Sequence, residues 1–140
     1  MTVGYLADKS ALARWDEASV AAVLDPALAA GLLWSCPQVD LEVLLSAQSP
    51  AEYFSVRDDR EATYSRAPLV DEIGVIALEV QASLARVGHL RAVGPMDLLI
   101  AATAVDHGLT VLHYDSDFEI LATADTRVAH QWVVPRGSVD

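Results

Sequence analysis

The stretch PMDLLIAATAVDHGLTVLHYD, residues 95–115, decides the fold class. Pro95 suits the first turn of a helix, where its missing N–H has no partner to lose. Good helix formers follow, and Gly108 stands where a helix ends. Leu109–Tyr114 is then a short run of β-formers. A helix that feeds straight into a short apolar strand is half of a strand–helix–strand unit. The strand ends in Asp115, with Asp117 two residues on. Asp97 lies in the first turn of the helix, where the positive end of the dipole favours an anion.

The same alternation continues outward. Val3–Ala7 is apolar, long enough for a buried strand and too short for a buried helix, and it ends in Asp8. Ala18–Ala30 is alanine-rich and helical, closing at Gly31. Leu32–Cys36 reads as a second strand. Pro37 opens a helix to about Gln48, and Ser49-Pro50 opens another to about Tyr64. In the segment Ala67–Gly88, Leu78, Ala82 and Ala85 have helical spacing. Gly88–Gly94 is a loop, Ser116–Ala122 a short helix, and Ala129–Val134 an edge strand before Pro135. Val134–Ser138 receives no element. The pattern predicts one domain over residues 1–140: a three-layer α/β/α sandwich around a mostly parallel sheet. Ligands of such sheets sit beyond the carboxyl ends of the strands.

Composition narrows the function. Twenty acidic residues against nine basic ones give a formal charge of −11, and 53% of the 140 residues are hydrophobic. Disorder is excluded, as is a basic nucleic-acid coat over the whole surface. A single cysteine, Cys36, excludes a disulfide framework and a multi-cysteine zinc module, and fits a reducing compartment. No apolar run reaches the ~18 residues of a membrane span, and no basic segment precedes the first apolar run. The expectation is a cytoplasmic protein that does not engage a membrane.

The carboxylates carry the chemistry. Two parallel strands ending in Asp8 and Asp115 deliver both acids to one sheet edge. Asp97 and Glu42, the latter in the helix after the second strand, can join them. Like charges a few ångströms apart raise one another's pKa, and a divalent cation removes the conflict. Oxygen ligands without Cys or His suit Mg²⁺ or Mn²⁺ rather than zinc. Each acid also has a structural reading: Asp8 as a turn former, Asp97 as a helix-start charge, Glu42 as a solvated residue, Asp115 and Asp117 as helix caps. Asp40 and Glu42 lie about 200° apart on a helix and cannot share a face, and periodicity does not choose between them. His113 reads as structural rather than as a ligand, Trp34 and Cys36 as core. Trp15 and Trp132 suit either packing or a partner surface.

The order of these motifs resembles a known family. YLADKSAL (residues 5–12) is similar to the opening D-x-S-A-[LI] of PIN-domain ribonucleases, especially the VapC toxins of bacterial toxin–antitoxin pairs. LEVLLSA (41–47) resembles the second acidic motif and favours Glu42 over Asp40. PMDLLIAATA (95–104) resembles D-x-x-I-A-A-x-A, and HYDSDFE (113–119) the final acid before D-F. Together with the loop around Gly88–Arg91, the likeness is strongest to actinobacterial, particularly mycobacterial, VapC toxins. It implies a PIN fold and a Mg²⁺- or Mn²⁺-dependent endoribonuclease acting on structured RNA, with transfer RNA ahead of a ribosomal RNA loop. Asp8, Glu42, Asp97 and Asp115 become the catalytic, metal-binding quartet, with Asp117 a fifth metal residue and Ser10 beside the site. Lys9 departs from the threonine or small residue common after the first aspartate. A VapB-type antitoxin and a homodimer are also implied.

Five of the nine basic residues, Arg57, Arg60, Arg66, Arg86 and Arg91, fall between positions 57 and 91. With His89 they are candidates for holding an RNA backbone, or they are ordinary solvated arginines. Phosphoryl-transfer proteins also place aspartate at a strand end. A receiver-like domain needs a lysine after a late strand, and Lys9 is the only lysine; an aspartyl phosphatase wants an acid where Ser10 stands. A silent binding module of the same fold predicts a broken quartet, and all four acids are present.

Overall fold

In the computed structural model, which describes residues 4–140, strand β1 (Tyr5–Ala7) is the middle of a five-stranded sheet. Val3, at the head of the first expected strand, lies outside the described residues. Helices α1 (Lys9–Leu12) and α2 (Ala18–Ala29) lead to β2 (Leu33–Ser35); α3 (Pro37–Leu44) and α4 (Pro50–Thr63) lead to β3 (Ser65–Arg66). The long helices α5 (Asp71–Arg86) and α6 (Pro95–His107) pack on each other before β4 (Thr110–His113), and α7 (Ser116–Ala124) precedes β5 (His130–Trp132). Every neighbouring pair of strands is parallel.

The strand order is β3-β2-β1-β4-β5. The chain walks outward from β1 to β3, then returns to β1's other side. The order therefore reverses between β1 and β4, and the carboxyl ends at such a reversal are where open α/β sheets place their ligands.

Parallel strands bury both faces. In register, Leu6 sits beside Val111 and Ala7 beside Leu112. Leu6 and Val111 face a core built by α3, α5, α6 and α7, including Val39, Ile73, Val80, Leu84, Ile100 and Phe118. Ala7, Leu33 and Leu112 face the smaller core of α1 and α2, with Ala11, Val20 and Leu24. Three layers result, as the alternation predicted. Gly4 is needed where β1 meets β2, because a Cβ there would lie 2.5 Å from the Trp34 indole nitrogen.

The helix α6 and its αL cap at Gly108 (φ 66°) match the sequence reading. Elsewhere boundaries move. The helix expected to reach Gln48 ends at Leu44. Leu45 beyond it is 84% exposed, so a further turn would bury nothing. The helix expected within Ala67–Gly88 begins only at Asp71, after Pro68. Strand β3 and helix α1 go beyond the sequence expectation; at two and four residues they are too short to carry a period. No helix among the described residues is long and apolar enough to cross a membrane.

Candidate active site

Carboxylates delivered by four elements gather at the carboxyl end of the sheet. Asp8 follows β1 and caps α1: its Oδ2 accepts from the Ser10 backbone N–H (3.0 Å) and from the Ser10 hydroxyl (2.6 Å). Asp115 follows β4 and caps α7, its Oδ1 accepting from the Asp117 N–H at 3.0 Å. Asp97 occupies the first turn of α6, and Glu42 the body of α3. The capping reading holds for Asp115 and not for Asp117, which lies inside the first turn of α7, and Asp8, read as a turn former, caps α1; capping is compatible with a site, since a carboxylate has two oxygens.

Ligand atoms of Asp8, Glu42 and Asp97 lie within 4.8 Å of one another, and so do those of Asp97, Asp115 and Asp117. Asp97 belongs to both triads. Among the described residues, no arginine, lysine or histidine forms a salt bridge with any of the five acids. The repulsion registers in their acidities. Burial raises Asp8, with Asp115's charge adding to it against the Ser10 hydrogen bonds. Burial and then Asp8 raise Glu42. Asp97 is pushed up to about 8 by burial, by a hydrogen bond shared with Asp117, and by the charges of Asp8 and Asp115. One oxygen of Glu42, Oε1, is buried with no hydrogen-bond partner. An orphaned carboxylate oxygen beside two further acids, all hard oxygen donors, fits a divalent cation.

A divalent ion must displace the proton that Asp97 holds below about pH 8. Cation affinity is therefore expected to rise about tenfold per pH unit below that value and to level off above it. Calorimetric titration with Mn²⁺ in two buffers of different ionisation heat should show close to one proton released per site at pH 7. A pH-independent affinity would contradict this.

A PIN-domain family model matches residues 5–124. The chain belongs to the PIN-domain family. It is 40% identical to Ribonuclease VapC21 of Mycobacterium tuberculosis over 138 residues, covering 99% of both chains. It is 36% identical to Ribonuclease VapC51 of the same species over 146 residues, covering all of both. Among solved structures, the fold resembles that in a DNA-bound VapBC from Salmonella typhimurium, with TM-score 0.75, 15% identity, and 95% of this chain and 100% of that one covered. It also resembles that in VapBC2 from Rickettsia felis, with TM-score 0.72, 14% identity, and 91% and 98% covered. The PIN fold of this chain is thus the expected three-layer sandwich.

The other expected residues fall in different places. Asp40, the rival of Glu42, faces away from the PIN acids. Its Oδ1 accepts from Arg60 Nε (2.9 Å) and Ser35 Oγ (2.8 Å), and Arg66 pairs with its other oxygen. Burial would raise Asp40, but the hydrogen bonds from Arg66, Ser35 and Arg60 outweigh it and hold the carboxyl below its ordinary range. Arg60 is buried, donates also to Ser35 Oγ (2.7 Å) and stacks over Tyr64, so its guanidinium is not offered to a phosphate. Arg57, Arg86, His89 and Arg91 remain exposed, the last two on the loop that runs into α6. Lys9 bonds none of the acids directly, though its charge lowers Glu42 slightly.

His113 is structural and fully buried. Its Nδ1 accepts from the Asp115 N–H (3.1 Å), which leaves the proton on Nε2 for His130 Nδ1 (2.9 Å). Burial and the neighbouring His130 push its pKa down to about 4, so the ring is neutral at pH 7. Cys36 is buried and its thiol is pushed up to about 11 by burial. Trp15 donates to Asp25, and Trp132 packs on His113 and Tyr114. Arg14, near the site in sequence terms, meets Tyr114 and the segment after Val134 beside Ser10, and the sequence reading missed the part those two play. The only available signal was a tyrosine directly preceding a site acid.

Proposed function

We propose that this chain is the toxin of a VapBC-type pair, a PIN domain spanning all 140 residues that hydrolyses phosphodiester bonds in structured cytoplasmic RNA, with transfer RNA its first substrate. One observation carries the reading: five acids that form no salt bridge among the described residues converge at the sheet's switch point in a chain 40% identical, over 99% of its length, to a named ribonuclease.

Asp8, Glu42, Asp97, Asp115 and Asp117 would hold Mg²⁺ or Mn²⁺. When bound, such an ion acidifies water and offsets charge building on the phosphate and the leaving oxygen. The residues themselves do the positioning. Ser10 fixes one Asp8 oxygen, Oδ2, by two hydrogen bonds. Asp97, in the first turn of α6, joins both groups of acids. Exposed Arg57, Arg86, His89 and Arg91 supply the basic contacts to an RNA backbone, so binding weakens with salt despite the net charge of −11. The antitoxin partner supplies a basic side chain for the acids. Its apolar side chains cover the groove of Leu41, Leu44, Leu45 and Tyr53, on and beside the helix that carries Glu42.

The test is cleavage of total cellular RNA by the purified, antitoxin-free protein with Mg²⁺, Mn²⁺ or EDTA, mapping new 5′ ends. Discrete 5′-phosphorylated ends in transfer RNA, lost with EDTA, support the reading. Ends confined to a ribosomal RNA loop move the substrate. A folded, metal-supplied protein that yields no ends would make it a silent binding module of the PIN fold.

A further inference from the structure

The segment after β5 turns back over the ends of β1 and β4. There it meets Tyr114, the residue between β4 and Asp115. The Tyr114 hydroxyl donates to the Val139 carbonyl (2.8 Å) and accepts from the N–H groups of Gly137 (2.7 Å) and Val139 (3.3 Å). The ring is held between the Arg14 guanidinium, 4.5 Å from its centroid, and Trp132, edge-on at 5.5 Å. Arg14 bridges directly as well: Nε donates to the Asp140 carbonyl and Nη1 to the Ser10 carbonyl, both at 2.7 Å.

Both routes converge on Ser10. The Tyr114 backbone N–H donates to Ser10 Oγ (2.9 Å), and Arg14 holds the Ser10 carbonyl. With its oxygen occupied by that N–H, the Ser10 hydroxyl directs its own hydrogen at Asp8 Oδ2. The Asp8 carboxylate is therefore oriented by a residue that the tail pins from two sides. Surface tails are ordinarily loose unless tied down. This one spends a tyrosine hydroxyl and an arginine on contacts that all lead to one strand-end acid.

We propose that residues 135–140 form a strap that orients the Asp8 carboxylate for the cation, acting through Tyr114, Arg14 and the Ser10 hydroxyl. The inference rests on the cation-site reading above. The strap residues belong to neither group of clustered acids; they are positioning residues, acting through Asp8.

The experiment measures Mn²⁺ affinity, by the EPR signal of free Mn²⁺, alongside melting temperature. It uses the unaltered 140-residue protein, Tyr114→Phe, Ser10→Ala, the double variant, and a chain ending at Val134. Outer-sphere partners of metal ligands change affinity by about 10–100-fold, which is the expectation for Ser10→Ala. Tyr114→Phe, one step further out, is expected to weaken Mn²⁺ by about 3–10-fold. The double variant should bind no more weakly than Ser10→Ala, because the strap's effect passes through the hydroxyl that Ser10→Ala removes. A merely structural contact would lower the melting temperature without that non-additivity. The chain ending at Val134 loses both the Tyr114 and the Asp140 contacts, so it should bind Mn²⁺ at least as weakly as Tyr114→Phe and no more weakly than Ser10→Ala; if it does not fold, the cycle on the 140-residue variants decides. Unchanged Mn²⁺ affinity in Tyr114→Phe, or losses that multiply in the double variant, overturns the strap alone. Failure of the unaltered protein to bind Mn²⁺ overturns the cation site and the strap together.

Discussion

Replacing Asp97 with asparagine is expected to abolish RNA cleavage and, at the same time, to raise the melting temperature of the metal-free protein near pH 8. The first effect follows from geometry. Asp97 is common to both groups of acids, so its loss dismantles each. Outer-sphere partners of metal sites are worth about 10–100-fold, and a shared ligand should exceed the upper figure. The second effect follows from linkage. A carboxyl whose pKa rises from 3.8 to about 8 on folding holds a proton that the unfolded chain has already lost. Stability therefore falls as pH rises through that window, and asparagine, which does not ionise, escapes the loss. Because Asp97 is partly solvated, the gain is put at about 1–2 kcal/mol, well below the full linkage value. That is about 3–8 °C in a chain of this size. The gain should shrink to a small remainder at pH 4, where the folded carboxyl is protonated and the unfolded one only partly ionised. Adding Mn²⁺ should reverse the order, since only the unaltered protein gains stability by binding it. Melting curves at pH 4 and pH 8, with and without Mn²⁺, check this; equal gains at both pH values would contradict it.

Most of the architecture was legible because it is local. Pro95, Gly108 and the apolar run between them mark α6 without help from the rest of the chain. The acids at the ends of β1 and β4 follow from strand-to-turn transitions, and parallel pairing sends them to one edge. What stayed hidden depends on partners far along the chain. Helix α3 could not be oriented from its own residues because both of its acidic faces are used. One faces Asp8 and Asp97; the other faces Arg60 and Arg66, 20 and 26 residues away. Only motif resemblance favoured Glu42. Arg60 looked like a surface arginine in a polar helix, and nothing local distinguishes a charge that will be buried against Asp40 from one left in water. The strap escaped for the same reason: Arg14 meets Asp140 across 126 residues.

Two acids only two positions apart should consequently have opposite phenotypes. Glu42→Gln is expected to leave the fold intact and silence cleavage. Asp40→Ala is expected to leave the site's acids in place and destabilise the protein. Arg60 has a side chain only 8% exposed. Without Asp40 it would be a buried, uncompensated charge, a loss of about 3–5 kcal/mol and about 10–15 °C in melting temperature. Arg66→Ala removes the more exposed partner and should cost less than about 1 kcal/mol. The diagnostic variant is the double Asp40→Ala with Arg60→Met. If the damage in Asp40→Ala is the stranded guanidinium, removing that charge should recover most of the loss, since apolar replacement of both partners of a buried pair is often neutral. If the double variant is as unstable as Asp40→Ala, the carboxylate matters for itself, as the acceptor that ties Ser35 at the end of β2 to α4, and not as a counter-charge. In either case, cleavage measured well below the melting temperature should stay within a few-fold of the unaltered chain, because no atom of Asp40 belongs to the groups of acids that surround Asp97.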